Sequence, residues 1–143
     1  MQEEVTGLRA YSMPRFIDLT PVVELAVRNP FSGKVYPEEN LVLAVVDTGY
    51  EGFLLIPSDV FDETFGELES EKRELILADG RRIESKGVYG EVLLGRQVAE
   101  GFIETVRGVD EFVVGVEFLR FFKLELDYCV KAVRLKPCPK FPW

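Results

Sequence analysis

The sequence predicts a mostly-β domain, a closed or partly open β-barrel with one or two short helices. Three observations carry that expectation. Short apolar runs of strand length recur along the 143 residues, bounded by clusters of Gly, Asp, Asn and Pro. The 11 Phe are mostly interleaved with Val, Leu and Ile, as in β-rich cores. Asp79-Gly80 stands between two strand-like segments, a strong hairpin signal.

Element by element, residues 16–19 and 22–27 read as a strand pair or one long broken strand, and 29–34 as a turn cluster. The run 41–46 is continuously apolar, which predicts a strand buried on both faces. Residues 53–56 form a short apolar strand stopped by Pro57. Residues 58–65 are the first helix candidate, with Ser58 as cap and Val60, Phe61 and Phe65 near helical spacing. Residues 75–77 and 82–85 flank the Asp79-Gly80 turn, and 88–94 and 97–106 flank Gly95-Arg96 as a second hairpin. Residues 112–114 make a buried strand ending at Gly115, and 116–122 suit one or two helical turns. Residues 123–128 alternate as a strand, followed by 130–135. Phe118, Leu119, Phe121 and Phe122 are expected in the core or at a dimer contact.

One domain, 1–143, is expected, since this length is usual for a single domain and 47% hydrophobic content supplies a core. Residues 1–14 are expected to be loosely held, leaving room for self-processing. The tail 137–143 carries three prolines, which bars it from a regular central strand. Trp143 is expected to pack on a partner subunit or to be disordered.

Composition excludes several function classes. With 25 acidic and 17 basic residues, the net charge of −8 repels nucleic acid and anionic membranes. No stretch approaches the ~20 apolar residues of a membrane span. The acidic start of the chain lacks the regions of a signal peptide, so a cytoplasmic location is the default expectation. There is no histidine, which removes Ser-His-Asp and Cys-His catalysis within this chain. Cys129 and Cys138 are the only cysteines; they make a poor zinc site and read either as a pair or as two thiols, the second being the blander reading. No spacing fits a P-loop or a dinucleotide fingerprint, and no cofactor or metal is implied. The acidic cluster 67–71 reads as a solvated loop. Carboxylate chemistry, or a carboxylate-bound metal in a monomer, remains for hydrolysis.

One triplet stands out. Asp47-Thr48-Gly49 follows the apolar run 41–46 directly and occurs once. Alone it is an ordinary strand-ending turn, because Asp and Gly favour turns. Its surroundings say more. The stretch Val45-Val46-Asp47-Thr48-Gly49-Tyr50-Glu51-Gly52-Phe53-Leu54-Leu55-Ile56-Pro57 resembles the active-site strand and turn of retropepsin-like aspartic proteases, most of all their small single-lobe bacterial and archaeal members. Phe112-Val113-Val114-Gly115-Val116-Glu117-Phe118-Leu119 resembles the later apolar-Gly element that crosses behind the Asp-Thr-Gly loop in that fold. Ala78-Asp79-Gly80 stands where the family has its flap. The matched span runs from about residue 41 to 128, most of the chain.

The resemblance implies an aspartic endopeptidase acting on an extended peptide or protein, with no nucleic-acid or membrane partner. One copy of the triplet implies a homodimer with one catalytic Asp47 from each subunit. Thr48, Gly49 and Gly115 would support the loop, with the Thr48 hydroxyl pointing across the dimer. Tyr50, Asp79 and Gly80 are candidates for flap and substrate binding. Tyr50 departs from the Ala or Ser of retroviral and pepsin-like enzymes, and is expected to wall the cleft or point elsewhere. The hairpin is poorer in glycine than retroviral flaps, and the Pro-rich tail differs from their interleaved terminal strands. The alternative is a non-catalytic dimerisation or peptide-binding module on the same fold.

Overall fold

A computed structural model describes residues 13–139. The expectations for residues 1–12, for the last four residues of the tail and for Trp143 lie outside the described residues. In chain order the elements are β1 (Arg15–Ile17), β2 (Thr20–Arg28), β3 (Val35–Tyr36), β4 (Val42–Val46), β5 (Leu54–Leu55), α1 (Ser58–Phe65), β6 (Glu71–Ile76), β7 (Arg82–Leu94), β8 (Gln97–Thr105), β9 (Phe112–Val114), α2 (Val116–Leu119), β10 (Phe122–Asp127) and β11 (Ala132–Pro137).

Hairpins close wherever the sequence places a turn. Residues 16–19 and 22–27 resolve into two strands, with Asp18-Leu19 as the turn between Ile17 and Thr20. At 29–34, buried Asn29 accepts from the amides of Phe31 and Ser32 on its side-chain oxygen at 2.9 and 3.2 Å, and donates its amide to the Thr64 carbonyl at 3.1 Å. Gly95-Arg96 makes a two-residue turn between Leu94 and Gln97, with Gly95 at φ 58, a left-handed conformation that suits glycine.

Six strands close into a barrel. β2 pairs antiparallel with β4, which runs parallel to β9. β9 pairs antiparallel with β5, and β5 runs parallel to β8. β8 pairs antiparallel with β7, and the far half of β2 returns to β7 through Ala26 opposite Leu93. β1 and β3 extend from β2, β6 lies on β7, and β10 and β11 form a separate two-stranded sheet. Phe53, Phe61, Phe65, Phe118, Leu25, Leu54, Ile56 and Ile103 are all fully buried in the core. Phe118 meets both Phe53, centroids 5.5 Å apart, and Phe122, at 5.0 Å. The core reading of Phe118, Leu119 and Phe122 holds, and Phe121 packs against the same core partly buried.

Several local expectations differ. Residues 82–85 and 88–94 form the single strand β7, and β6 starts at Glu71, inside the stretch read as a loop. β4 is buried on one face only: Ala44 and Val46 point into the core, whereas Leu43 is 41% exposed and Val45 half-buried. A run without polar residues hides its own alternation, and the opposite face here opens to a groove. At α1 the Ser58 side chain does not cap; Pro57 occupies the cap position, and its carbonyl accepts from the Phe61 amide at 3.0 Å. α1 instead holds its place by burying Val60, Phe61, Thr64 and Phe65. Cys129 and Cys138 are thiols. Among the described residues no helix is long and apolar enough to cross a membrane.

Candidate active site at the Asp47 loop

β4 delivers Asp47 to the end of the barrel. Its amide donates to the Val114 carbonyl at 3.0 Å, extending the parallel β4–β9 pairing by one rung. The chain then turns. The Tyr50 amide donates to the Asp47 carbonyl at 3.1 Å, and the Gly49 amide donates to Asp47 Oδ1 at 2.8 Å. Asp is suited to this position because its short carboxylate reaches the amide two residues on. One carboxylate oxygen is thereby aimed, while Asp47 as a residue stays exposed. Thr48 and Gly49 are exposed beside it.

Behind the loop stands the segment after β9. Three successive amides donate backwards into it: Gly115 to the Phe53 carbonyl at 3.1 Å, Val116 to the Tyr50 carbonyl at 2.8 Å, and Glu117 to the Gly52 carbonyl at 3.1 Å. Such close contact requires glycine at 115. A Cβ there would lie 2.3 Å from the Gly52 carbonyl oxygen and 2.5 Å from that of Tyr50. The structure therefore brings Asp47, Thr48, Gly49, Tyr50 and Gly115 together.

Tyr50 turns inward. Its hydroxyl donates to Glu104 Oε2, and Ser85 Oγ donates to Glu104 Oε1 at 2.7 Å. Glu104 is 2% exposed. Burial, chiefly, drives the Tyr50 phenol well above its ordinary range; the hydrogen bond to Glu104 and the charges of Glu104 and Glu117 push the same way, and Arg73 opposes them. Of the two orientations open to Tyr50, the structure shows its hydroxyl pointing away from solvent.

Asp79 and Gly80 lie at the tip of the β6–β7 hairpin, as their spacing predicts. The Leu77 amide donates to the Arg81 carbonyl at 2.8 Å, and Gly80 adopts φ +86. Asp79 accepts from the Arg81 backbone amide at 3.0 Å and from its guanidinium at 2.7 Å, which together hold its carboxyl below the usual range. Their contacts are local to the turn.

Sequence reasoning missed Glu104 and Ser85. The signal was a lone acid in Phe102-Ile103-Glu104-Thr105-Val106, a strand otherwise fit for burial: a charge placed there needs donors. A separate groove of about 970 Å³ is lined by Val22, Leu43, Val45 and Phe112 with Asp18 and Asp110. Asp47 is not among its residues. Among the described residues, no group of three or more Cys, Asp or Glu is placed to hold a metal ion.

No family model matches the chain. An archaeal protein from Archaeoglobus fulgidus, described as an uncharacterized protein, is 44% identical over 126 residues, which is 86% of this chain and 98% of that one. The chain belongs to the family of that archaeal protein. Among solved structures, a retropepsin-like aspartic protease from Rickettsia conorii superposes with a TM-score of 0.61 at 15% identity, over 88% of this chain and 89% of that one. At such low identity the likeness establishes the fold. The chain thus has a retropepsin-like β-barrel with two short helices.

Proposed function

We propose that this chain is an aspartic endopeptidase that works as a homodimer, with Asp47 of each subunit forming one catalytic pair. One observation carries the reading: in a retropepsin-like fold, an exposed Asp47 stands at the end of a core strand, with one oxygen aimed by the Gly49 amide and the loop braced from behind by Gly115. One chain supplies one such carboxylate, and a two-fold axis supplies the second. Thr48 is exposed beside Asp47, and in the proposed dimer its hydroxyl would reach across that axis to the partner loop.

Two carboxylates about 3 Å apart share one proton, because both cannot ionise cheaply. The ionised member takes a proton from water as its oxygen bonds to the scissile carbonyl carbon. The protonated member gives its proton to the carbonyl oxygen. Collapse of the tetrahedral diol breaks the C–N bond, the proton taken from water passes to the leaving amine, and the shared proton is restored. The β6–β7 hairpin, tipped by Asp79 and Gly80, closes over an extended peptide and pairs with its main chain.

Cleavage of a mixed peptide library from acidic to neutral pH, by wild type and Asp47→Asn, tests this. Wild type is expected to cleave with a bell-shaped pH profile that belongs to the pair, and Asp47→Asn to lose that cleavage. Undiminished cleavage by Asp47→Asn refutes the reading. A dimer silent toward every peptide at every pH supports the binding-module alternative instead.

A further inference from the structure

Glu104 has no part in the bond-breaking chemistry, yet among the described residues it is the one buried carboxylate. It lies on β8, between β5 and β7, with Leu55 and Gly87 as its strand partners. Its carbonyl accepts from the Ile56 amide at 2.9 Å, so the backbone is pinned. A carboxylate at 2% exposure is costly unless its oxygens are satisfied. Here the two oxygens serve different elements. Oε2 takes the hydroxyl of Tyr50, three residues beyond Asp47, and Oε1 takes the hydroxyl of Ser85 at 2.7 Å.

Ser85 belongs to the hairpin. It stands on β7 directly opposite Arg73 of β6, in the ladder that leads to Asp79 and Gly80. Arg73 packs its guanidinium 3.6 Å above the Phe102 ring and lies close enough to the Tyr50 phenol to act on its charge. The hairpin base is seated tightly as well: a Cβ on Gly87 would lie 2.6 Å from the Ile103 carbonyl oxygen. The catalytic loop and the hairpin are thus joined through a single side chain anchored in the barrel wall.

We infer that Glu104 is a positioning residue that fixes the Asp47 loop and the hairpin relative to each other, through Tyr50 on one side and Ser85 on the other. The inference rests on the proteolytic reading for its kinetic consequences and on geometry alone for its structural ones. The two bonds separate the effects. Loosening Tyr50 disturbs the orientation of Asp47 and the step it performs. Loosening Ser85 disturbs the hairpin and the hold on substrate.

Tyr50→Phe and Ser85→Ala, each removing one hydroxyl, and Glu104→Gln, exchanging one carboxylate oxygen for an amide nitrogen, test this by peptide-cleavage kinetics and by amide hydrogen exchange on the full chain. Tyr50→Phe is expected to lower kcat about tenfold with KM little changed, and to speed exchange in residues 47–53. Ser85→Ala is expected to raise KM with kcat held, and to speed exchange in residues 73–87. Glu104→Gln, which keeps an acceptor for Tyr50 but loses the charge, is expected to shift the pH profile and to loosen both segments less than its neighbours loosen one. Uniform acceleration of exchange across the barrel, with kcat and KM moving together or not at all, would overturn the inference. If wild type cleaves nothing, the proteolytic reading fails, and the segmental pattern of exchange alone decides whether Glu104 joins loop and hairpin.

Discussion

Replacing Gly115 with alanine should push the Asp47 loop out of its seat. The added Cβ would sit 2.3 Å from the Gly52 carbonyl oxygen and 2.5 Å from the Tyr50 carbonyl oxygen. Relaxed carbon–oxygen contacts start near ~3.3 Å, so each carbonyl must retreat by about 1 Å. Neither can do so freely, since Gly52 accepts from the Glu117 amide at 3.1 Å and Tyr50 from the Val116 amide at 2.8 Å. Two weakened hydrogen bonds at about 0.5–1.5 kcal/mol each, with ~1–3 kcal/mol for overpacking, give roughly 2–6 kcal/mol. For a chain of this size the middle of that range lowers Tm by roughly 10 °C. Urea unfolding measures the loss, and peptide cleavage well below the midpoint measures the displacement of Asp47. Gly33→Ala is the control: Gly33 has φ +79 and open space around its missing Cβ, so alanine there meets only backbone strain of about 1–2 kcal/mol. If Gly115→Ala is no less stable than Gly33→Ala and cleaves as wild type, the bracing role of Gly115 is wrong.

Other expectations follow from the same geometry. The folded-state pKa of Tyr50 lies above its unfolded value near 10, so its contribution to stability is fully present below about pH 10 and is lost as pH rises from there toward the folded value. Tyr50→Phe should therefore show a shallower fall in urea midpoint than wild type above pH 10. Asp79 has the opposite sign: its folded pKa is depressed, so its stabilisation of the turn is present above the ordinary value of 3.8 and lost as pH falls through the folded value. Arg81→Ala should raise the Asp79 pKa in an NMR titration yet leave it below the ordinary carboxylate range, because the backbone amide at position 81, the larger cause, still donates to it. Phe65 is fully buried, with its ring 5.7 Å from that of Phe61, so Phe65→Ala should cost about 3–5 kcal/mol in urea unfolding.

Much of the fold was legible because its signals are local. Asp79-Gly80 and Gly95-Arg96 carry their turns in the residues themselves, and both hairpins form there. The same holds for the Asp47 turn, where carboxylate and acceptor amide are two residues apart. What escaped depends on partners distant in sequence. Glu104 and Tyr50 are separated by 54 positions, so nothing near either residue names the other. β4 misled in another way, because Leu43 and Ala44 are equally apolar and only the surrounding elements decide which is covered. Ser58 failed as a cap because Pro57, already extended at φ −61 and ψ 148, takes that position.

The three backward-donating amides of residues 115–117 also set a schedule. The Asp47 turn can close its own short hydrogen bonds as soon as it leaves the ribosome, but its seat is built from residues more than sixty positions downstream. Contacts of that separation are made late, after the chain between them has been ordered. During synthesis the triplet is therefore present long before it is supported. A chain ending before Gly115 carries the Asp47 turn with its own short hydrogen bonds but without the three amides that brace it from behind.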